Sequence, residues 1–274
     1  MKRIAMLSMI AFAAPQSAHA DVTFDSLSMD RLTPVTTLAF DFGYEVWDDT
    51  ATTELKVMSI NLAGHFVNRR GVGGYLTIPL SYIDARIGPF EDTELALGNL
   101  EVGGLLARHF GSTALLFHGG LVLGTSSDDG AADFMGLASF TRFGDFVHRI
   151  QNSTWLRLGM SPMGRVGSLF WRADAGIDLA LDEDNAIEYS PVIHLNVGGG
   201  IDLGGAQILA ELVNVFANPD DESDDTGSTF TIGARFASGD LRPGIGLLLP
   251  IDLPFEDFEF ALLASLAVHV RGSR

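Results

Sequence analysis

The fold of this chain is decided by a stretch near its front, Thr37-Leu38-Ala39-Phe40-Asp41-Phe42-Gly43-Tyr44-Glu45-Val46. Large apolar side chains occupy every second position from Leu38 to Val46, and polar or small residues such as Asp41 and Glu45 stand between them. Because successive side chains of a strand point to opposite faces, this alternation predicts a strand with one apolar and one polar face.

The same alternation recurs along the chain and predicts about twelve strands. They lie near residues 35–47, 54–68, 73–83, 95–109, 113–126, 153–162, 168–181, 187–203, 207–217, 228–236, 241–251 and 259–271. The polar face of a soluble sheet is normally rich in lysine, whereas Lys56 is the only lysine beyond the first residues. We therefore assign the apolar face to lipid and predict an all-β, transmembrane, antiparallel up-and-down β-barrel over residues 35–271.

The connections between the predicted strands also alternate in character. Every second one is acidic, at residues 48–49, 91–94, 128–129, 182–184, 220–225 and 256–257. The others are short and carry glycine, at residues 69–71, 110–112, 163–165, 204–205 and 237–240. This alternation predicts acidic loops outside the cell and tight turns in the periplasm, with both ends of the barrel periplasmic.

The first twenty residues have the pattern of an export signal. Lys2 and Arg3 form a basic start, an apolar stretch follows, and Ala18-His19-Ala20 is a small-residue cleavage signature. We predict that residues 1–20 are a signal peptide and that the protein lies in the bacterial outer membrane, as a monomer in contact with its lipid. Residues 21–34, before the first strand, form either a periplasmic lead-in or a small plug.

Charge and cysteine content exclude several classes of function. The chain has 17 basic and 35 acidic residues, and removal of the signal leaves 15 basic residues and a formal charge of −20. Nucleic-acid binding is disfavoured, because phosphate contacts need clustered Lys and Arg. The absence of cysteine excludes disulfides and thiolate metal sites. No cofactor is expected.

One region does not have the pattern of a strand. In residues 131–150, apolar side chains recur at helical spacing, at Phe140, Phe143, Val147 and Ile150. This spacing predicts a short amphipathic helix in the third outer loop, folded over or into the barrel mouth as a gate. A bent continuation of the neighbouring strands explains the same short apolar runs equally well.

The alternation of side chains along each predicted strand, here called parity, predicts which residues line the lumen. They are Asp41, Glu45, Asn61, His65, Glu101, His118, Arg157, Arg172, Asp174, Asp178, Glu188, His194, Arg235, Arg242 and Glu259. Buried charges persist when they are paired, so cross-barrel ion pairs are expected. The excess of carboxylates allows a second interpretation, a lumen that favours cations or neutral molecules over anions.

Metal and catalytic sites find little support in the sequence. Asp220, Asp221, Asp224 and Asp225 offer oxygen ligands for divalent cations, but they lack the pattern of a calcium loop, so only weak binding is expected. The lumen histidines lie on different strands and do not converge as metal ligands would. Because the apolar face carries no histidine to act as a base toward lipid, we expect no enzyme activity.

Three stretches carry a resemblance to a known family. They are residues 97–104 (Leu-Gly-Asn-Leu-Glu-Val-Gly-Gly), residues 241–250 (Leu-Arg-Pro-Gly-Ile-Gly-Leu-Leu-Leu-Pro) and residues 260–268. In pattern and turn placement the chain resembles outer-membrane transporters of the phenol-degradation meta-pathway type and, more distantly, the long-chain fatty-acid channels. The resemblance implies passive uptake of small molecules, apolar ones included, and supplies no catalytic residue.

Two functions are favoured by the sequence, and a third, a lipid-modifying enzyme, would require a histidine and a serine that converge at one rim. The first is a passive channel or transporter for a small-molecule solute. The second is a non-conducting structural or adhesive barrel whose acidic outer loops bind divalent cations or surface lipid. A continuous water path through the lumen would favour the first, and a sealed interior would favour the second.

Overall fold

A computed structural model describes residues 22–48, 53–126, 130–182, 191–217, 226–236, 239–253 and 257–270. Within these residues the strand segments are β1 (Thr37–Trp47), β2 (Thr53–Val67), β3 (Val72–Ile87), β4 (Phe90–Leu97), β5 (Leu100–Phe110), β6 (Thr113–Leu123), β7 (Trp155–Val166), β8 (Leu169–Ala180), β9 (Val192–Asp202), β10 (Ala206–Ala217), β11 (Thr226–Phe236), β12 (Leu241–Asp252) and β13 (Phe258–His269). A 3₁₀-helical segment, Gly130–Arg149, lies between β6 and β7.

The strands form one closed antiparallel sheet. Apart from β4 and β5, each strand pairs with its neighbour in sequence, and β1 also pairs with β13, from Thr37 opposite His269 to Trp47 opposite Phe258. β4 and β5 pair with different halves of β3 and share one place in the ring. The described residues therefore form a 12-strand barrel, which confirms the predicted all-β up-and-down barrel with a short helix.

The strand predicted over residues 95–109 needs correction, because the structure has two strands here, β4 and β5, which pair with different halves of β3. The strand begins at Phe90, so acidic residues 91–94 lie in β4 and not in a loop. It breaks between β4 and β5, where the Gly98 amide donates to the Pro79 carbonyl and the Asn99 amide donates to the His148 carbonyl. The helical segment thus bonds to the wall at the break.

A second correction concerns the connection between β7 and β8. The turn was predicted at residues 163–165, but β7 continues to Val166 and the chain reverses at Gly167 and Ser168. Gly167 has a φ of 62°, a left-handed conformation that glycine adopts without steric cost. Met163 and Gly164 therefore lie in the wall, and Met163 is fully buried.

The two faces of the wall differ as the sequence predicts. Apolar side chains that face outward are exposed all round the barrel; Leu38 is 57% exposed and Leu262 is 50% exposed. Inward side chains between them, such as Asp41 and Ser265, are buried. The outer surface of the barrel is therefore an apolar belt, and its interior is polar.

Two segments fill the interior. Residues 22–34, here called the N-terminal segment, occupy the end of the barrel where the tight turns lie. Gly130–Arg149, here called the mouth segment, occupies the opposite half and contacts β1, β2, β3, β4, β10, β11 and β13. Its backbone leaves helical geometry at Arg142 and Asp145. Among the residues that the structure describes, no helix is long and apolar enough to cross a membrane.

Candidate functional site

The barrel interior is the candidate site, and it contains most of the residues that parity assigned to it. Buried side chains are those of Asp41, Glu45, Asn61, His65, Glu101, Arg157, Arg172, Asp174, Asp178, His194 and Arg235. His118 and Arg242 are largely buried, with 11% and 18% of their side chains exposed. Glu188 lies outside the described residues.

Glu259 departs from the predicted face. Opposite the neighbours Val46 and Trp47, β13 places Phe260 and Phe258, so Glu259 is an extra residue in a β-bulge. The bulge turns Phe258 into the core and leaves Glu259 exposed. Simple alternation fails at this residue because a bulge reverses the facing of the strand.

Arg157 is the centre of an ion-pair network in the middle of the lumen. Its guanidinium lies 3.3 Å from Glu101, 2.9 Å from Asp145 and 3.0 Å from Asp178. Tyr75 donates to Glu101 at 2.7 Å. These contacts join β3, β5, β7 and β8 to the mouth segment, which carries Asp145, so the buried charges are paired.

The mouth segment contributes further polar contacts to the wall. His148 lies 2.7 Å from Glu101, and the Ser59 and Thr141 hydroxyls are 2.5 Å apart. Arg149 donates to Ser81 and, at 3.2 Å, to Asn61. The second half of the segment is therefore bonded to strands β2, β3 and β5.

Three of the predicted gate residues lie on this segment, Ile150 directly follows it, and all four pack inward. Phe140, Phe143 and Val147 are buried, and Ile150 packs partly buried against the same cluster. The ring of Phe140 lies 5.6 Å from that of Trp47 and 5.3 Å from that of Phe258, between centroids. These apolar contacts fill the mouth half of the lumen.

The turn-side half is filled by the N-terminal segment. Glu211 accepts hydrogen bonds from the backbone amides of Leu27, Ser28 and Met29, at 2.7, 2.6 and 3.2 Å. Asp25 pairs with Arg242 at 3.0 Å. Because Glu211 lies on β10 and Arg242 on β12, with only β11 between them, these contacts hold this part of the segment against one side of the barrel.

Further contacts tie the N-terminal segment to other parts of the interior. Arg172 donates to the Leu32 carbonyl at 2.9 Å, and Arg31 pairs with Asp41. Arg142 of the mouth segment donates to the Met29 carbonyl at 2.9 Å. The two segments therefore meet inside the barrel and close it from both ends.

Parity could not find the polar residues of the two segments. Those that the sequence reasoning missed are Asp25, Asp30, Arg31, Arg142, Asp145, His148 and Arg149, together with Asn99 at the break between β4 and β5. The one available signal was the excess of lumen carboxylates over arginines, since buried charges need partners that the strands alone did not provide.

Ionisation within the two segments is set by these neighbours. Burial alone would raise the pKa of Asp145, but Arg142 and Arg157 hold it well below its ordinary value. Burial would also raise the pKa of Asp30, but His118 and Arg172 lower it. For Arg149, burial lowers the pKa to about 10. These groups are therefore charged at neutral pH.

The described residues enclose several small cavities in the interior. One of about 30 Å³ lies between Asp30, Tyr75, His118 and Arg157, and a second of about 30 Å³ lies beside Asp178. A third, of about 120 Å³, lies at the turn end and is lined in part by Arg165 and Arg242. A few water molecules would fill the first two.

The barrel geometry matches known structures. A crystal structure of the COG4313 outer membrane channel from Pseudomonas putida F1 has a TM-score of 0.59 at 11% identity, covering 87% of this chain and 97% of that one. The KdgM porin has a TM-score of 0.50 at 10% identity, covering 85% and 99%. The barrel has the fold of outer-membrane channels.

A second KdgM structure, in complex with disordered oligogalacturonate, gives a TM-score of 0.51 at 9% identity and covers 85% of this chain. No family model and no curated protein matches the sequence. The likeness therefore concerns the fold, and it does not single out the family that the sequence resembles.

The described part of the interior contains no centre for metal binding. Among the described residues, no group of three or more His, Asp or Glu side chains converges as metal ligands would. The predicted divalent-cation ligands, Asp220, Asp221, Asp224 and Asp225, lie outside the described residues. That prediction stays a prediction.

Proposed function

We propose that the protein is a passive, non-enzymatic channel of the bacterial outer membrane, in a closed state here, and that it opens when the mouth segment leaves the lumen. The observation that carries the proposal is a closed barrel with an apolar belt outside and charged residues inside. An apolar belt of this kind suits lipid, and a polar interior suits the passage of water and solutes.

The solute is a small molecule. Arg157, Glu101 and Asp178 lie at the middle of the path, so a molecule that passes must exchange contacts with charged groups. This lining supports polar solutes over the apolar ones that the sequence resemblance implies. Similarity in fold to a porin supports passive passage in general and leaves the solute class to experiment.

A non-conducting structural barrel is the second candidate, and the filled lumen favours it. The mouth segment and the N-terminal segment bond to the wall on many strands, and the central cavities are near 30 Å³ each. If these contacts never release, the barrel contributes to the membrane without passing solute. Calcium-dependent surface binding that is lost on neutralising residues 220–225 would support this candidate.

A glycine in the wall offers the first test of the channel. A Cβ at Gly43 would lie 2.3 Å from Thr141 Cγ2 and 2.6 Å from Ser59 Oγ, so Gly43→Ala must push the mouth segment from the wall. We expect a several-fold increase in open probability in planar bilayers and faster solute entry into liposomes. Gly104→Ala is the matched control, because its Cβ would meet nothing closer than 3.8 Å.

The two candidates predict different results for this pair of variants. A channel gives brief openings in the wild type, more of them in Gly43→Ala and wild-type behaviour in Gly104→Ala. A non-conducting barrel gives no current in any of the three, although each inserts and keeps its β-sheet circular dichroism. The second result would overturn the proposed channel function and would leave the assignment of the barrel fold unaffected.

A further inference from the structure

Side chains of the wall form hydrogen bonds with backbone groups of the N-terminal segment. Both oxygens of Glu211 accept backbone amides, from Leu27 on one side and from Ser28 and Met29 on the other. Arg235 donates to the Ser26 carbonyl at 3.0 Å. These contacts hold the backbone at the bend over residues 27–29, and the Ser28 hydroxyl also donates to Glu211, at 2.7 Å.

Three glycines form an apolar socket for one side chain of the segment. Cβ atoms at Gly233 and Gly246 would lie 2.3 and 2.8 Å from Leu27 Cδ1, and one at Gly244 would lie 3.1 Å from Leu27 Cδ2. Leu27 is 2% exposed. Since larger residues at these places would exclude it, the wall is shaped around an inserted aliphatic side chain.

Basic groups of the wall meet the two carboxylates of the segment. Asp25 lies 3.0 Å from Arg242 and 2.8 Å from His269. Asp30 lies 3.3 Å from His118, and Arg172 also pairs with it. The wall therefore offers two basic subsites, one on each side of the Leu27 socket, with Glu211 between them as an acceptor of backbone amides.

We propose that these wall groups form a binding site for a short acidic peptide that bends at its aliphatic residue, and that residues 22–34 are its resident ligand. The site takes an aliphatic side chain in the glycine socket and a carboxylate on each side of it. A peptide of this class competes with the resident segment for the turn-side half of the lumen. The inference concerns binding and stands whether or not the barrel conducts.

A full-length variant that expels its own segment tests the proposal. In the double variant Asp25→Lys, Leu27→Lys, the new cations face Arg242, His269 and the apolar socket, so the segment leaves the lumen. A synthetic peptide of residues 22–34 is then titrated into the detergent-solubilised barrel by calorimetry. We expect saturable binding of one peptide per barrel and no binding of a scrambled peptide.

The wall supplies the decisive control. Adding Glu211→Gln to the double variant removes an ionised acceptor of three amides and should weaken peptide binding at least about tenfold. The wild-type chain should bind the peptide far more weakly than the double variant, because its tethered segment competes for the site. A folded double variant that binds no peptide, or that binds equally with Glu211→Gln, would overturn the proposal.

A second measurement keeps the test valid if the double variant fails to fold. A specific protease site placed between Pro34 and Thr36 of the otherwise native chain allows the tether to be cut after folding. We expect a fluorescent copy of residues 22–34 to replace the severed segment, with a lower extent of exchange when its Asp25 and Asp30 equivalents are asparagine. If excess peptide never replaces the severed segment, the segment is a fixed part of the fold and the proposal is overturned.

Discussion

Asn99 lies at the break between β4 and β5, and its side chain forms hydrogen bonds on both sides of this break. Its side-chain amide donates to the Val147 and Ile150 carbonyls at 3.2 and 2.5 Å. Its oxygen accepts the amides of Thr125 and Ser126 at 3.2 and 3.1 Å. One fully buried side chain thus joins both ends of the loop that contains the mouth segment.

Asn99→Ala should therefore be costly for a single polar substitution. It removes several buried hydrogen bonds and leaves their partners unsatisfied, so we expect the free energy of unfolding to fall by about 2–4 kcal/mol. Denaturant titration of the purified barrel measures the change. Asn68→Ala is the control: Asn68 accepts amides of Arg70 and Val72 in an exposed turn, and a cost of about 1 kcal/mol or less is expected. Equal costs for the two variants would contradict this role for Asn99.

At the residue scale, sequence alternation predicts facing well until the backbone becomes irregular. Asp41 points inward because β1 pairs with β2 and β13 without interruption around it. Glu259 points outward because a bulge adds one residue to β13. No residue type near Glu259 indicates the bulge, since the bulge arises from the pairing of two strands that are distant in sequence.

The mouth segment shows what limits prediction at the element scale. Its apolar spacing correctly indicates a helix, and Phe140 and Val147 do face the core. At the interruption, Arg142 and Asp145 form ion pairs with Asp41 and Arg157 of the wall, and Arg142 donates a hydrogen bond to the Met29 carbonyl of the N-terminal segment. These partners come from distant parts of the chain, so the local pattern cannot reveal them.

Acid should release the two inner segments. Burial opposes the lowering of the pKa of Asp25 and Asp145, yet their basic neighbours hold both pKa values below the ordinary value of about 3.9. A carboxyl group with a lowered pKa stabilises the folded state above its ordinary pKa. That stability is lost as the pH falls through the folded-state value.

We therefore expect docking to be unchanged between about pH 7 and 5 and to weaken below about pH 4. Near-ultraviolet circular dichroism, which reports the aromatic cluster of Trp47, Phe140 and Phe258, should fall while the far-ultraviolet signal of the barrel persists. Asp145→Asn should reduce the acid sensitivity of the mouth segment. A transition centred between about pH 6 and 7 would instead indicate histidine protonation and contradict this account.

At the scale of the whole molecule, the barrel could be predicted because every strand repeats the same contrast between its two faces. An error at one turn, as at residues 163–165, moves a boundary and leaves the closed sheet unchanged. The filling of the interior could not be predicted in the same way. It depends on which wall charges meet Asp25, Asp30 and Asp145, and this is decided only when all strands are in place.

The central claim is that the mouth segment closes a channel, and a reversible crosslink tests it most directly. The chain has no cysteine, and the hydroxyl oxygens of Ser59 on β2 and Thr141 on the mouth segment are 2.5 Å apart. A disulfide between Ser59→Cys and Thr141→Cys needs its sulfur atoms about 2.0 Å apart, so it can form with little movement.

The measurement is single-channel current through this double variant in a planar bilayer, before and after a reducing agent is added. We predict no openings in the oxidised protein and a return of openings on reduction, with Ser59→Cys alone insensitive to the reagent. Equal currents from the oxidised and reduced forms would contradict the claim, because solute would then pass while the mouth segment is fixed to the wall.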